Sequence, residues 1–111
     1  MFKIVPMINP DGVINGNTRC SLAAVDLNRV WQEPSSKMHP EIYHLKKLLQ
    51  EFGKERDLYL YCDLHGHSRK KNMFCYGNGE KNDTRYRERV FPYLLEKAAD
   101  TFNFSDCAFS V

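Results

Sequence analysis

Four short apolar runs along the chain are typical of β-strands. Phe2–Pro6 alternates enough for a short strand, and Pro6 ends it because proline cannot donate a hydrogen bond to a strand ladder. Leu58–Cys62 is almost wholly apolar, which predicts a buried strand. Asn72–Tyr76 and Cys107–Val111 predict two further short strands.

The stretch Met38–Phe52 predicts the first helix. Its apolar residues recur at spacings of three and four and therefore share one face. These residues are Ile42, Leu45, Leu49 and Phe52. Pro40 lies near the start, where a helix tolerates proline, and Gly53 is a suitable end.

A second helix is predicted over Arg85–Ala99. Its expected inner stripe consists of Tyr86, Val90, Tyr93, Leu94 and Lys97. Pro92 interrupts the pattern, so the helix either kinks or starts late. The alternation of strands and helices predicts an α/β layer with a mainly parallel sheet.

The segment between the first strand and the first helix predicts a turn followed by a loop. Asn9-Pro10-Asp11-Gly12 has proline and glycine where a turn favours them. Residues 13–36 show little periodicity and predict a long ordered loop. Loops of that length inside a compact domain are usually functional.

The composition bounds the class of protein. A chain of 111 residues suits at most one domain, and 42% hydrophobic residues are enough for a core. The net charge of +2 is too small to predict a nucleic-acid partner. No apolar run approaches the roughly 20 residues that span a bilayer, and no signal segment precedes the first strand. The oligomeric state is left open.

The cysteines and the chain ends add two expectations. Four cysteines without a Cys-x-x-Cys pair predict free thiols in a reducing, cytoplasmic compartment. The chain begins inside one predicted strand and stops inside another, so both ends are expected to be truncated.

Two histidines follow the predicted strand Leu58–Cys62 at the point where it opens into a loop. Gly66 between them can turn one imidazole aside, so we expect one metal ligand and choose His65, which lies nearer the strand than His67. The alternative is an inert, hydrogen-bonded pair. His39 and His44 fit a solvated surface, and two histidines alone do not complete a zinc site.

Arginine and asparagine side chains in the long loop could bind an anion. The fork of Arg29 matches a carboxylate through two hydrogen bonds, and Asn28 beside it can add a donor. Arg19 could stabilise an oxyanion. The alternative is a set of ordinary surface residues. Ser68-Arg69-Lys70-Lys71 is a basic cluster that is either a solvated face or an attraction for acidic substrates.

These segments together resemble the zinc metallocarboxypeptidases, and within them the cytosolic carboxypeptidase subfamily. The resemblance covers nearly the whole chain in order, through Phe2–Val13, Asn17–Leu22, Asp26–Arg29 and Tyr61–Asn72. It implies part of the carboxypeptidase α/β/α sandwich around a mixed eight-stranded sheet. It also implies zinc as cofactor and removal of glutamates from acidic protein tails, such as those of tubulin.

The resemblance implies a role for four residues. His65 corresponds to the third zinc ligand, and Asn28 with Arg29 corresponds to the pair that binds the terminal carboxylate of the substrate. Arg19 corresponds to the arginine that polarises the scissile carbonyl. The complete enzyme would hydrolyse peptides with zinc-activated water and a glutamate as general base.

The first two of three departures from the family pattern limit what residues 1–111 can do. The His-x-x-Glu motif with the first two zinc ligands and the glutamate base are both missing, so the chain is expected to be the central part of a catalytic domain. Val30 stands where the subfamily often has glutamine or asparagine after Asn-Arg. The alternative function is therefore a truncated, inactive module that binds acidic C-terminal tails.

Overall fold

The structure, a computed structural model, describes residues 1–79 and 85–109. The chain divides into two compact units, Met1–Cys62 and Asp63–Val111, and each is described by itself. The α-helices of the described residues are α1 (Pro10–Asn15), α2 (Pro40–Glu55) and α3 (Val90–Ala98). None of these helices is long and apolar enough to cross a membrane.

Helix α1 takes the place of the turn predicted at Asn9–Gly12. The side chain of Asn9 accepts a hydrogen bond from the Gly12 N–H at 3.1 Å and so caps the helix. Pro10 stands in the first turn, where its missing N–H has no consequence. Gly16 ends the helix in the left-handed region, with φ of 76°. The turn prediction was wrong because asparagine followed by proline also favours a helix start.

Helix α2 confirms the helix predicted over Met38–Phe52, although its ends differ. It begins at Pro40 and runs through Gly53 to Glu55, so the prediction that Gly53 ends it was wrong. A glycine inside a helix costs only about 1 kcal/mol, which this helix tolerates. Ile42 is 1% exposed, and the other three residues of the predicted face are half-buried.

The predicted loop over residues 13–36 is largely confirmed, apart from its first residues, which belong to α1. It contains a 3₁₀ helix, Leu27–Arg29, whose Leu27 side chain is buried. A reverse turn precedes it, in which the Ser21 N–H donates to the Val25 carbonyl at 2.9 Å and Ala24 adopts a φ of 58°. The loop is therefore ordered by its own hydrogen bonds.

The second unit contains two isolated parallel bridges where two strands were predicted. Met73 pairs with Phe102, and Tyr76 pairs with Ala108. The bridge at Ala108 is held by its N–H on the Cys75 carbonyl at 3.1 Å. Within the described residues, the predicted strand Asn72–Tyr76 is bridged only at Met73 and Tyr76, and Cys107–Val111 only at Ala108. The last two residues of the second predicted strand lie outside the described residues.

Helix α3 starts later than the predicted Arg85–Ala99. A 3₁₀ turn over Arg87–Arg89 precedes it, and Pro92 falls in its first turn, so the late start rather than the kink is confirmed. The predicted inner stripe was wrong, because all five of its residues are exposed. Pro92 is the buried residue instead, and the half-buried Leu95 and Glu96 lie three and four positions after it on the same face.

Two predicted strands do not form in the described residues. Phe2–Pro6 and Leu58–Cys62 have no strand assignment and are exposed, with Phe2 at 93% and Tyr59 at 99%. A strand is stable only when a neighbouring strand satisfies its N–H and C=O groups. Among residues 1–79 and 85–109 no strand pairs with either segment, and the mixed eight-stranded sheet stays a prediction.

Candidate carboxylate-binding segment and metal ligand

Two asparagine amides hold the loop that follows helix α1. The side-chain nitrogens of Asn9 and Asn17 both donate to the Cys20 carbonyl oxygen, at 3.2 and 2.8 Å. The Asn15 amide in turn donates to the Asn17 side-chain oxygen at 2.7 Å. Arg19 therefore precedes a backbone carbonyl that is anchored to both ends of α1.

Gly12 is required for this arrangement. A Cβ atom at Gly12 would overlap the side-chain amide of Asn9, which both caps α1 and binds the Cys20 carbonyl. Any larger residue at position 12 would displace that amide. The glycine of the Asn-Pro-Asp-Gly segment thus serves helix–loop packing rather than a turn.

Asp26 connects Arg19, Asn28 and Arg29, to which the family resemblance gives a catalytic role and two substrate-binding roles. Its Oδ2 lies 3.2 Å from Arg19 Nη1 and 3.9 Å from Arg29 Nη2. Its Oδ1 accepts a hydrogen bond from the Asn28 backbone N–H at 3.0 Å and caps the 3₁₀ helix. One carboxylate therefore draws two guanidinium groups together and fixes the backbone of Asn28.

The exposures of these side chains show which part of the cluster faces solvent. The side chains of Arg19 and Arg29 are 66% and 71% exposed, whereas that of Asp26 is 22% exposed. The two guanidinium groups are therefore open to solvent, and the carboxylate between them is partly covered. This arrangement presents planar N–H donors to an approaching anion.

The side chain of Asn28 contacts Trp31 in the same unit. The indole N–H of Trp31 donates to Asn28 Oδ1 at 3.2 Å. The Lys46 ammonium on α2 donates to the carbonyl oxygens of Trp31 and Gln32 at 2.7 and 2.6 Å. The segment after the 3₁₀ helix is thereby tied to α2.

His65 lies in the second unit with a carboxylate beside it. Its Nδ1 is 3.5 Å from Asp63 Oδ2, and its side chain is 57% exposed. A carboxylate partner on one ring nitrogen is the usual way in which proteins orient a metal-ligating imidazole. The arrangement suits a ligand role for His65, and that role stays a prediction.

His67 has a local structural role. Its Nδ1 accepts hydrogen bonds from the backbone N–H groups of Arg69 and Lys70 at 3.2 and 3.0 Å. Its ring packs edge-on against Phe74, with 5.2 Å between ring centroids. One ring nitrogen of His67 is thus used in shaping the loop.

Lys70 differs from the rest of the predicted basic cluster in its surroundings. Its ammonium donates to the Asp106 carbonyl and lies over the rings of Phe74 and Tyr76, at 4.8 and 5.5 Å from their centroids. It is half-buried, whereas Arg69 and Lys71 are exposed. Interpreting the whole cluster as a surface for substrate was therefore wrong for Lys70.

The other two histidines, His39 and His44, belong to the first unit. His39 accepts a hydrogen bond from the Ser35 N–H at 3.2 Å, and His44 is exposed beside Tyr43. In the described ranges, no three His, Cys, Asp or Glu side chains form a group that could hold a metal ion. His65 is thus one donor where zinc needs three or four.

The structure adds two residues that the sequence analysis did not single out, Asp26 and Trp31. Asp26 was visible as an acidic residue two positions before Asn28, a spacing that favours a side-chain cap. Trp31 carried no signal in the sequence, because its contact with Asn28 depends on how the 3₁₀ helix ends.

The two units hold different parts of the predicted site. Arg19, Asn28 and Arg29 are brought together around Asp26 in the first unit. His65 belongs to the second unit, with Asp63 as its partner.

Known proteins match nearly the whole of this chain. Residues 1–105 match the family model described as zinc carboxypeptidase. The chain is 51% identical over 128 residues to cytosolic carboxypeptidase 1 of Homo sapiens, covering 100% of this chain and 10% of that protein. It is 49% identical over 113 residues to cytosolic carboxypeptidase 2 of Mus musculus, covering 100% and 13%. The chain therefore spans about a tenth of the length of these curated relatives, and it belongs to the zinc carboxypeptidase family.

Proposed function

We propose that the protein containing this chain is a zinc-dependent metallocarboxypeptidase that removes C-terminal residues from polypeptides. The family match over residues 1–105 supports the reaction class. The single observation that carries the proposal is the Asp26-centred cluster, in which Arg19, Arg29 and the Asn28 backbone share one carboxylate. In this proposal residues 1–111 are the central part of the catalytic domain.

Each residue of the cluster has a distinct task. Arg29 and the Asn28 amide bind the terminal carboxylate of the substrate, which lets only the last peptide bond reach the reaction centre. Arg19 donates hydrogen bonds to the carbonyl oxygen of that bond as negative charge develops on it. Asp26 holds the two guanidinium groups side by side, because its Oδ2 lies 3.2 Å from Arg19 Nη1 and 3.9 Å from Arg29 Nη2.

His65 is the residue of this chain that would hold zinc, oriented by Asp63. When bound, zinc supplies a Lewis acid and an activated water for peptide hydrolysis. Because His65 is a single donor, the remaining ligands and the general base belong to other parts of the full-length protein in this proposal.

The substrates we propose are acidic protein tails, such as the glutamate-rich tail of tubulin. Two exposed cations beside the His65 segment, Arg69 and Lys71, support this choice because they attract negative charge. The names of the relatives, cytosolic carboxypeptidases, support a cytoplasmic location.

A second candidate is an inactive module that holds acidic C-terminal tails without cutting them. The observation in its favour is that the arginine cluster needs no metal to bind a carboxylate, and its partner Asp26 lies in the same loop. The two candidates differ in zinc dependence, which one experiment can measure.

The test uses the full-length protein and a glutamate-rich peptide with a free C-terminus. We expect glutamate release that a zinc chelator abolishes and added zinc restores. His65→Gln should remove both activity and bound zinc, whereas His44→Gln, at an exposed histidine on α2, should change neither. Peptide binding without any release in the zinc-loaded protein would support the inactive module and reject the enzyme.

A further inference from the structure

We infer that Trp31 is a positioning residue that sets the selectivity of the carboxylate-binding segment. In this inference the Trp31 indole N–H orients the Asn28 side-chain amide, and that orientation favours a terminal carboxylate over an uncharged chain end. The inference rests on the proposed function and adds a residue to it.

The direction of the Asn28 amide follows from the chemistry of its partner. An indole nitrogen is only a donor, so the atom 3.2 Å from Trp31 Nε1 must be the amide oxygen of Asn28. A reversed amide would place its NH₂ group against the indole N–H and lose the hydrogen bond. Trp31 therefore directs the oxygen of Asn28 toward itself and the NH₂ end away.

Both partners of this hydrogen bond are anchored independently of each other. Asp26 holds the Asn28 backbone at 3.0 Å. Lys46 holds the Trp31 carbonyl at 2.7 Å, and the half-buried indole packs edge-on against Tyr61, with 5.9 Å between ring centroids. The backbone positions of Asn28 and Trp31 therefore do not depend on the hydrogen bond between their side chains.

The consequence concerns which chain end can bind. A carboxylate only accepts hydrogen bonds, so it needs the NH₂ end of Asn28 and is repelled by the amide oxygen. A C-terminal carboxamide both donates and accepts, so it can bind either orientation of Asn28. Losing the indole N–H should therefore weaken binding of the carboxylate more than binding of the carboxamide.

The experiment compares the full-length protein with two Trp31 variants. Trp31→Phe keeps an aromatic ring, and site-specific incorporation of β-(3-benzothienyl)alanine keeps the full bicyclic shape while removing the donor. The substrate is a glutamate-rich tetrapeptide with a free C-terminus, measured by kcat and KM. Its C-terminal carboxamide, which has no terminal carboxylate, is measured by its inhibition constant.

We expect the isostere to raise KM for the carboxylate peptide about fivefold to tenfold, with a smaller change in kcat and an unchanged inhibition constant for the carboxamide. In an Asn28→Ala background, the same replacement should leave KM unchanged, because Trp31 then has no amide to orient. A purely structural role would raise both constants and persist in the Asn28→Ala protein.

The possible outcomes distinguish a failure of the inference about Trp31 from a failure of the proposed function. If the parent protein cleaves the peptide and the isostere leaves the ratio of the two constants unchanged, the inference about Trp31 is wrong and the proposed function stands. If the parent neither cleaves nor prefers the carboxylate peptide, both are wrong.

Discussion

At the scale of single residues, Asp26 does the most to assemble the candidate site. It is partly buried, it contacts both arginines, and it caps the 3₁₀ helix that contains Asn28 and Arg29. Exposed ion pairs contribute at most about 1 kcal/mol to stability. The value of this carboxylate therefore lies in orienting two long side chains rather than in holding the fold.

Asp26→Asn should lower kcat/KM for a free-carboxylate peptide about threefold to tenfold. The amide keeps the shape and can still cap the Asn28 N–H, but it loses the charge that orients Arg19 and Arg29. Asp26→Ala loses the cap as well and should also lower the melting temperature. Unchanged kinetics in Asp26→Asn, measured with the full-length protein, would show that the arginines orient themselves.

The basic residues after His67 should separate into two classes. Lys70→Met should destabilise the protein by about 1–2 kcal/mol, since it removes a hydrogen bond to Asp106 and the contacts with two aromatic rings. Arg69→Gln with Lys71→Met should leave stability unchanged, because both side chains are exposed. Denaturant unfolding measures the first effect.

The same pair of surface substitutions tests the preference for acidic tails. We expect the Arg69 and Lys71 changes to reduce cleavage of a glutamate-rich peptide more than that of a neutral peptide, and the difference to shrink at high salt. An equal loss on both peptides would remove the basis for an acidic substrate.

At the scale of elements, two glycines in helices behave in opposite ways. Gly12 in α1 faces the Asn9 amide without room for a Cβ atom, whereas Gly53 in α2 has nothing within 4 Å of one. The first glycine is required by packing and the second is an exposed helix position with poor intrinsic propensity.

Gly12→Ala should destabilise the protein by about 1–2 kcal/mol, since it displaces the Asn9 cap and its bond to the Cys20 carbonyl. Gly53→Ala is the matched control and should stabilise it by about 0.5–1 kcal/mol. Thermal unfolding of both variants checks the two signs, and destabilisation by Gly53→Ala would contradict this account of α2.

At the scale of the whole molecule, much apolar surface lies open. In the described part of the chain, the buried hydrophobic side chains are Leu27, Ile42 and Phe102, while Phe2, Tyr59 and Leu64 are at least 89% exposed. Membership of the zinc carboxypeptidase family implies an α/β fold. We expect Phe2–Pro6 and Leu58–Cys62 to pair with neighbouring strands only in the full-length protein.

We predict that residues 1–111 expressed alone unfold without a cooperative thermal transition and bind a hydrophobic dye, because so few apolar side chains are buried. The full-length protein should unfold cooperatively and bind little dye. The isolated chain should also show no chelator-sensitive hydrolysis, since His65 alone cannot hold catalytic zinc. A sharp calorimetric transition in the isolated chain would overturn the prediction.

Local interactions explain what the sequence by itself determined. Helix α2 was predictable because spacings of three and four depend only on the helix period, and the late start of α3 was one of the two outcomes that Pro92 allowed. The family relationship was also recognisable from the sequence, because its motifs are short and contiguous.

The tertiary structure decided whatever depends on residues distant in sequence. Strand formation at Leu58–Cys62 requires a partner strand, and the apolar run cannot show whether that partner is present. Lys70 is held by the distant Asp106 carbonyl. The role that we infer for Trp31 depends on a loop that Lys46 on α2 holds through the Trp31 carbonyl. The sequence shows which residue types are present, but tertiary packing decides which hydrogen-bond donor meets which acceptor.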